Sequence, residues 1–308
     1  MANLAKEILI ASRPVHWIKN LSLFAAIVFT GTLQVPTYFL VVFWAFISFN
    51  LTASATYLIN DIVDSPRDAL HPIKKERPIA AGRLSKKHAL LAALFFATVS
   101  VFIALSINTL FFYILLFYLA LQIFYSLGLK NIPIIDIIVI ASGFIVRVYA
   151  GALVINAHLS VWFLLCVISV ALFLAAGKRR AELSITGSSE TRKSLSKYKP
   201  ELLNAYVTMF GNAAWMSWAL FTFFESPPVD LKLWLFLAEI SKATTISKLL
   251  MITIPVVIFI IMRYQALIFE DRSEAPEKVL LTDKPLVISI ILYGIMVMAI
   301  LYGGVVII

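Results

Sequence analysis

Three aspartates in one short stretch are the residues best suited to chemistry in this sequence. Asp61, Asp64 and Asp68 directly follow a long apolar segment and are spaced three and four residues apart. At this spacing Asp61 and Asp64 share one face of a helix. Pro66 interrupts a simple helix, so we expect Asp68 to reach the same site from a turn or a second short helix. Clustered carboxylates are typical ligands of Mg²⁺.

Cations follow the three acids. They are His71, Lys74, Lys75, Arg77 and Arg83. Mg²⁺ is commonly shared between a few protein carboxylates and the phosphates of a substrate, so acids followed by cations predict a diphosphate site. The alternative is a solvated loop, because basic loops are common on the cytoplasmic side of membranes. Unpaired carboxylates are costly at a membrane boundary, and this cost favours the binding site.

A second polar group surrounds the junction of two apolar segments. Tyr125 and Lys130 close the first of them, and Asp136 and Arg147 belong to the second. Eleven residues of helix bring Arg147 back near the face of Asp136, about 16 Å further along. An arginine within a membrane span normally faces a cavity or a partner. A structural ion pair between helices and a role in substrate binding both fit this pattern.

A third polar cluster contains mostly cations. Its residues at the end of an apolar segment are Lys178, Arg179, Arg180 and Glu182, and Arg192, Lys193, Lys197 and Lys199 follow. Lys178 and Glu182 share a helix face, and their place at the membrane mouth predicts phosphate binding. A solvated basic loop accounts for the more distant cations.

Apolar helices must position all three clusters. The chain has 308 residues, of which 61% are hydrophobic and 14% charged, and a membrane-spanning helix needs about 20 apolar residues. We predict one integral membrane domain over 1–308, all α-helical, with a short interfacial helix near 229–240. The nine predicted spans lie near 20–34, 37–60, 87–107, 109–127, 135–155, 159–178, 202–224, 246–264 and 285–306.

The basic residues predict the orientation of these spans. With a cytoplasmic N-terminus, the cytoplasmic side receives all 26 lysines and arginines except Arg147, Lys232, Lys242 and Lys248. Such an asymmetry is what the positive-inside rule describes. The three polar clusters then share the cytoplasmic face.

Several function classes lose support. The net charge of +9 resides in loops, which argues against a nucleic-acid partner. The single cysteine, Cys166, cannot form an intrachain disulfide. We find no cleavable signal peptide, and no GxxxxGK[ST], HExxH or CxxC motif that would indicate an NTP-driven pump or a zinc site.

These motifs resemble those of the UbiA superfamily of intramembrane prenyltransferases. Asn60-Asp61-x-x-Asp64-x-x-x-Asp68 is similar to its first aspartate-rich motif, and Tyr125 to Lys130 is similar to its YxxxK-type element. The resemblance implies nine transmembrane helices around a central cavity, with Mg²⁺ bridging carboxylates and a diphosphate.

One departure from the superfamily is informative. Ordinary members carry a second aspartate-rich motif where this chain has Gly177-Lys-Arg-Arg-Ala-Glu182, with a single carboxylate. In this respect the chain is similar to the decaprenyl-phosphate phosphoribosyltransferase branch. Three further stretches resemble that branch: 60–82, Arg13-Pro-x-x-Trp17-x-Lys19-Asn20, and the segment from Arg192 to Tyr198.

The resemblance implies transfer of 5-phosphoribosyl from phosphoribosyl pyrophosphate to a polyprenyl phosphate of the decaprenyl type, with release of pyrophosphate. The reaction would serve cell-envelope glycan precursors at the cytoplasmic face of the plasma membrane. Asp61, Asp64 and Asp68 would bind Mg²⁺, and Asn60 would orient them. The implied substrate-binding residues are Lys19, Lys74, Arg77, Tyr125, Lys130, Arg147, Lys178, Arg179 and Glu182.

Two other functions are compatible with the pattern. A conventional prenyltransferase would move a prenyl group from its diphosphate to an aromatic or glycerol-phosphate acceptor, and the basic second motif argues against it. A transporter or lipid-binding scaffold would line a path with polar residues, whereas here the acids cluster at one face. Mg²⁺-dependent release of pyrophosphate separates the scaffold from both enzymes. The sequence leaves open whether the protein is a homo-oligomer.

Overall fold

The computed structural model describes residues 2–70, 74–186, 194–225, 244–270 and 282–303, and within these ranges every regular element is helical. The α-helices are α1 (Ala2–Ala11), α2 (Ala25–Phe29), α3 (Pro36–Asp68), α4 (Lys86–Ile107), α5 (Thr109–Leu127), α6 (Ile135–Val154), α7 (Val161–Thr186), α8 (Pro200–Phe224), α9 (Ile254–Phe269) and α10 (Lys284–Tyr302). Shorter 3₁₀ segments cover Pro14–Phe24, Lys74–Glu76, Leu129–Asn131, Leu195–Lys197 and Thr244–Thr253. The predicted 229–240 helix and the cations His71, Arg192 and Lys193 lie outside the described residues.

Seven helical stretches in the described residues are long and apolar enough to cross a membrane. They are α3, α4, α5, α6, Val161–Leu183 of α7, Lys248–Phe269 and α10. Only 17% of the apolar window of α4 and 11% of that of α10 is buried, so both helices present apolar surface outward, as a lipid environment requires. The chain is an integral membrane protein.

Two predicted spans fall outside those seven. The span at 20–34 overlaps a shorter apolar helical stretch, Pro14–Phe29, and the span at 202–224 matches α8, which has 25 residues. Nine spans, a cytoplasmic N-terminus and a single domain therefore stay predictions. The boundary between α4 and α5 is confirmed. Asn108 alone separates the two helices, with an extended backbone, and its side chain accepts a hydrogen bond from the Phe111 amide at 2.7 Å.

The chain forms two compact units. The first comprises Met1–Val28, Leu33–Ala157 and Ser188–Lys197; the second comprises Phe29–Thr32, His158–Gly187 and Tyr198–Ile308. In the first unit, α3 packs against α4 and α5. In the second, α7 packs against α8, and α9 packs against α8 and α10.

The expected interruption of α3 at Pro66 is wrong, because the helix continues to Asp68. Pro66 lacks the amide hydrogen that would reach the carbonyl of Ile62, four residues earlier. The Ser65 hydroxyl donates to that same carbonyl at 3.0 Å and so replaces the missing bond. Asp68 therefore projects from the same helix as Asp61 and Asp64, not from a turn.

The segment Pro14–Phe24 packs against both α3 and α6 in the first unit. It begins after Arg13, whose φ of +52° lies in the left-handed region and turns the chain sharply after α1. At its other end it approaches α6 closely. A Cβ atom on Gly151 would lie 1.9 Å from the Leu23 carbonyl oxygen, so the contact requires glycine.

Candidate functional site

The C-terminal end of α3 presents three acids on one face. Asp61, Asp64 and Asp68 cover two helical turns, and the uninterrupted helix places them on one face. Asp61 is 2% exposed and Asp68 5% exposed. Buried carboxylates are costly without partners, so the groups that pair with them define the site.

Arg13 is the first partner. Its Nη2 donates to Asp61, and its guanidinium lies 5.1 Å from the centre of the Tyr57 ring. Tyr57 and Asp61 are one turn apart on α3, so one helix face binds the Arg13 guanidinium through an ion pair and a cation–π contact. The sequence prediction did not assign Arg13 to the site. Its place in the Arg13-Pro-x-x-Trp17 stretch was the available signal.

Arg77 is the second partner, and it bridges two acids. Its Nη1 lies 3.2 Å from Oδ1 of Asp61 and 2.5 Å from Oδ2 of Asp68. It comes directly after the 3₁₀ turn Lys74–Glu76. This loop therefore returns a cation to the acids nine and sixteen residues before it.

Lys130 is the third partner. It lies in the 3₁₀ turn Leu129–Asn131 and is 3% exposed. Its Nζ donates to Oδ1 of Asp64 at 2.6 Å and to Oδ1 of Asn60 at 3.3 Å. The first unit therefore brings together the side chains of Asn60, the three aspartates, Arg77 and Lys130, as the sequence predicted.

This arrangement suits a diphosphate with a divalent metal. Asp61, Asp64 and Asp68 each accept from the surrounding cations through one carboxylate oxygen, so coordination of Mg²⁺ through the other oxygen fits the donor set. In the part of the chain that the structure describes, no three acidic, histidine or cysteine side chains lie close enough together to hold a metal ion by themselves, so phosphate oxygens of a substrate would have to complete the coordination. The three cations could also turn to phosphate oxygens, which they bind as strongly as carboxylates.

Three other predicted residues belong to the first unit. Lys19 lies in the segment Pro14–Phe24, Lys74 opens the 3₁₀ turn before Arg77, and Tyr125 lies in the last turn of α5. All three side chains are half-buried. Their contact with a substrate stays a prediction.

Arg147 has uncharged partners. It is 5% exposed and donates to the Asn20 side chain, to the Gly143 carbonyl and, at 2.7 Å, to the Tyr118 hydroxyl. The Asn20 amide in turn donates to Asn50 at 2.5 Å. Within the described residues Arg147 therefore forms no ion pair, and its hydrogen bonds connect α5 and α6 with the segment Pro14–Phe24.

The third cluster lies on α7 in the second unit. Arg179 is fully buried and donates to Glu182, one turn later. Arg180 donates from Nε to Asn204 of α8 at 2.7 Å, and Lys178 is half-buried. Tyr264 and Ile268 of α9 crowd Gly177, where a Cβ atom would lie 2.6 Å from the Ile268 side chain. The cluster is thus held by close packing within its own unit.

Known proteins match this chain along most of its length. Residues 20–179 match the UbiA prenyltransferase family. The decaprenyl-phosphate phosphoribosyltransferase of Corynebacterium glutamicum is 36% identical over 299 residues, which cover 92% of this chain and 83% of the relative. The protein of the same name from Mycolicibacterium smegmatis is 37% identical over 236 residues, or 74% of each chain.

Solved structures agree with this match at the level of fold. A UbiA homologue from Archaeoglobus fulgidus bound to DMAPP and Mg²⁺ superposes with a TM-score of 0.69, at 18% identity, covering 96% of this chain and 99% of the homologue. A digeranylgeranylglyceryl phosphate synthase gives a TM-score of 0.66 at 14% identity, covering 98% of this chain and 100% of that protein. At these identities the likeness concerns the fold.

Proposed function

This chain belongs to the UbiA prenyltransferase family, and we propose that it transfers 5-phosphoribosyl from phosphoribosyl pyrophosphate to a polyprenyl phosphate of the decaprenyl type. Pyrophosphate leaves, and the lipid product serves cell-envelope glycan synthesis at the cytoplasmic face of the plasma membrane. The relatives named decaprenyl-phosphate phosphoribosyltransferase support this substrate pair.

One structural observation carries the proposal. Three acids on a single helix face are each bonded to a cation from a separate segment, namely Arg13, Arg77 and Lys130. A site that holds both a metal and a phosphorylated substrate needs this mixture of acidic ligands and cations. A purely structural set of buried ion pairs would add little stability over apolar packing.

Asp61, Asp64 and Asp68 would hold Mg²⁺, and Asn60 would orient Asp64 through the shared contact with Lys130. When bound, the ion would neutralise charge on the leaving diphosphate. The structural relatives solved with Mg²⁺ and with Cd²⁺ support the use of a divalent ion by this fold.

The cations of the chain would bind the phosphates. Arg77 and Lys130 would exchange their carboxylate contacts for oxygens of the diphosphate. Lys19, Lys74 and Tyr125, which belong to the same unit, would contact the substrate as well. Lys178 and Arg179 of the second unit would contact a further phosphate, and Glu182 would orient Arg179 through their ion pair.

The reaction needs no strong general base. An oxygen of the lipid phosphate, already anionic near neutral pH, would form the new bond to C1 of the ribose while the bond from C1 to the pyrophosphate oxygen breaks. The residues of the chain then act by position and by charge, since they bring two anions together and stabilise the leaving group.

A comparison of substrates tests the proposal. Purified protein receives phosphoribosyl pyrophosphate with decaprenyl phosphate and, separately, geranyl diphosphate with an aromatic acceptor, each with Mg²⁺. We expect a phosphoribosylated lipid and stoichiometric pyrophosphate from the first mixture alone. Product from the second mixture alone would reject phosphoribosyl transfer and favour a conventional prenyltransferase. No pyrophosphate from either would favour a scaffold.

A further inference from the structure

A single hydroxyl fixes the loop that carries Lys130. Ser194 precedes the 3₁₀ turn Leu195–Lys197 and is completely buried in the first unit. Its Oγ lies 2.9 Å from the main-chain oxygen of Lys130 and 3.3 Å from Oδ2 of Asp136. Ser194 therefore contacts both ends of the 130–136 stretch, although it is 64 and 58 residues away in sequence.

The loop does not keep this shape by local preference. Ile134 has a φ of +69°, in the left-handed region that a β-branched side chain rarely adopts. Ile134 is also half exposed, so packing of its side chain gives little compensation. A conformation of this kind persists where surrounding contacts impose it. The buried Asp136 carboxylate supplies such contacts. Its Oδ1 accepts from the Ile137 amide at 3.0 Å, and its Oδ2 lies 3.3 Å from the Ser194 hydroxyl, whose single hydrogen it shares with the Lys130 carbonyl.

Lys130 is the residue on which these contacts converge. Its carbonyl accepts from Ser194, while its Nζ reaches Asp64 and Asn60 in α3. A displacement of its main chain away from α3 would lengthen the hydrogen bond from the ammonium to Asp64, which is now 2.6 Å long. Of the two residues that the Ser194 hydroxyl contacts, Lys130 is the one whose side chain reaches the acidic face of α3.

We propose that Ser194 and Asp136 are positioning residues that hold the Lys130 ammonium at the acidic face of α3. Ser194 lies in the stretch from Arg192 to Tyr198, for which the proposed function has no other role. The inference rests on that function only where Lys130 is taken to bind a phosphate of the substrate. The position of the ammonium itself can be measured without any substrate.

The first experiment measures how accessible Lys130 is. Wild-type, Ser194→Ala and Ser48→Ala proteins in detergent are acetylated with sulfo-N-hydroxysuccinimide acetate, and peptide mass spectrometry follows each lysine. Ser48 is a matched control, because it is equally buried and donates to the Ser100 carbonyl at the same 2.9 Å. Exposed Lys87 serves as the internal reference for the reagent.

We expect Ser194→Ala to raise the labelling rate of Lys130 relative to Lys87 by about threefold or more, because the loop opens locally. Ser48→Ala should leave that ratio at the wild-type value. An unchanged ratio in folded Ser194→Ala protein would overturn the inference, whatever the protein catalyses. This readout stays valid if no phosphoribosyl product forms, so the two proposals can fail separately.

The second experiment is a double-mutant cycle on turnover with phosphoribosyl pyrophosphate. Ser194→Ala should lower kcat/KM about tenfold in the wild-type background, since it loosens the bond that holds the ammonium. In a Lys130→Ala background the same change should cost less than about twofold, because its target is gone. A merely structural serine would give the same loss in both backgrounds, and that additivity would also overturn the inference.

Discussion

Lys130 donates a hydrogen bond from Nζ to Oδ1 of Asp64 at 2.6 Å and so joins two segments 66 residues apart. Both side chains are shielded from solvent, at 4% and 16% exposure. A buried ion pair usually gains little over apolar packing, whereas loss of one partner leaves an uncompensated charge. The pair is therefore better explained by a binding role than by a need for stability.

Replacement of Lys130 should distinguish a role in substrate binding from a role in stability. We expect Lys130→Met to lower kcat/KM for phosphoribosyl transfer by about 100-fold, because a phosphate ligand and the partner of Asp64 are lost together. Lys87→Met, at the exposed start of α4, is the matched control and should remain within about twofold of wild type. Near-normal turnover of Lys130→Met would remove Lys130 from the site.

The acids themselves should control the response to metal. Asp61→Asn keeps the shape of the side chain and can still accept from Arg13 and Arg77, but it removes the charge that a divalent ion requires. We expect turnover to fall at least about 100-fold at saturating Mg²⁺. Glu201→Gln, an exposed carboxylate in the first turn of α8, should leave it unchanged.

Chelation tests the same assignment without a mutation. Wild-type protein treated with EDTA should lose turnover and recover it on addition of excess Mg²⁺, while its melting temperature changes little. Full activity after chelation, or a normal Mg²⁺ response of Asp61→Asn, would contradict the metal site at the end of α3.

The seven long apolar helices of the described residues could be predicted because each contains an apolar run of nearly the length that a bilayer requires. Even the single-residue break at Asn108 is visible, since a capping residue there separates two apolar runs. The break at Pro66 was mispredicted for a local reason. The Ser65 hydroxyl donates to the Ile62 carbonyl in place of the amide that Pro66 lacks. This bond depends on the Ser65 rotamer, which residue spacing does not predict.

The acids and most of their cations could also be predicted, because charge at a membrane boundary is costly enough to indicate function. Which of these residues contact one another could not be predicted. Arg13 reaches Asp61 across 48 residues and Arg147 reaches Asn20 across 127, and such contacts follow from helix packing rather than from spacing. The same limit left the role of Arg147 open between an ion pair and substrate binding.

The contacts of Arg147 favour a third role, which mutation can test. Its three partners are neutral and buried, so Arg147→Met would leave acceptors without donors at a cost of about 1–3 kcal/mol. We expect an apparent melting temperature about 5 °C lower in detergent, and a KM for phosphoribosyl pyrophosphate within about threefold of wild type. Tyr118→Phe removes one of these partners and should show a smaller loss of the same kind. A raised KM at an unchanged melting temperature would instead favour substrate binding.

Gly151 offers the sharpest test of how the segment Pro14–Phe24 is held. A Cβ atom there would lie 1.9 Å from the carbonyl oxygen of completely buried Leu23, so Gly151→Ala must push that backbone away from α6. The displaced segment carries Asn20 and begins beside Arg13, so both the Arg147 network and the Arg13–Asp61 pair should loosen. We expect a lower melting temperature together with lower turnover. Gly294→Ala in α10 is the control, because a Cβ atom there meets nothing within 4 Å, and alanine stabilises a helix interior by up to about 1 kcal/mol. If Gly151→Ala behaves like Gly294→Ala, close packing of this segment on α6 is not what positions Arg13.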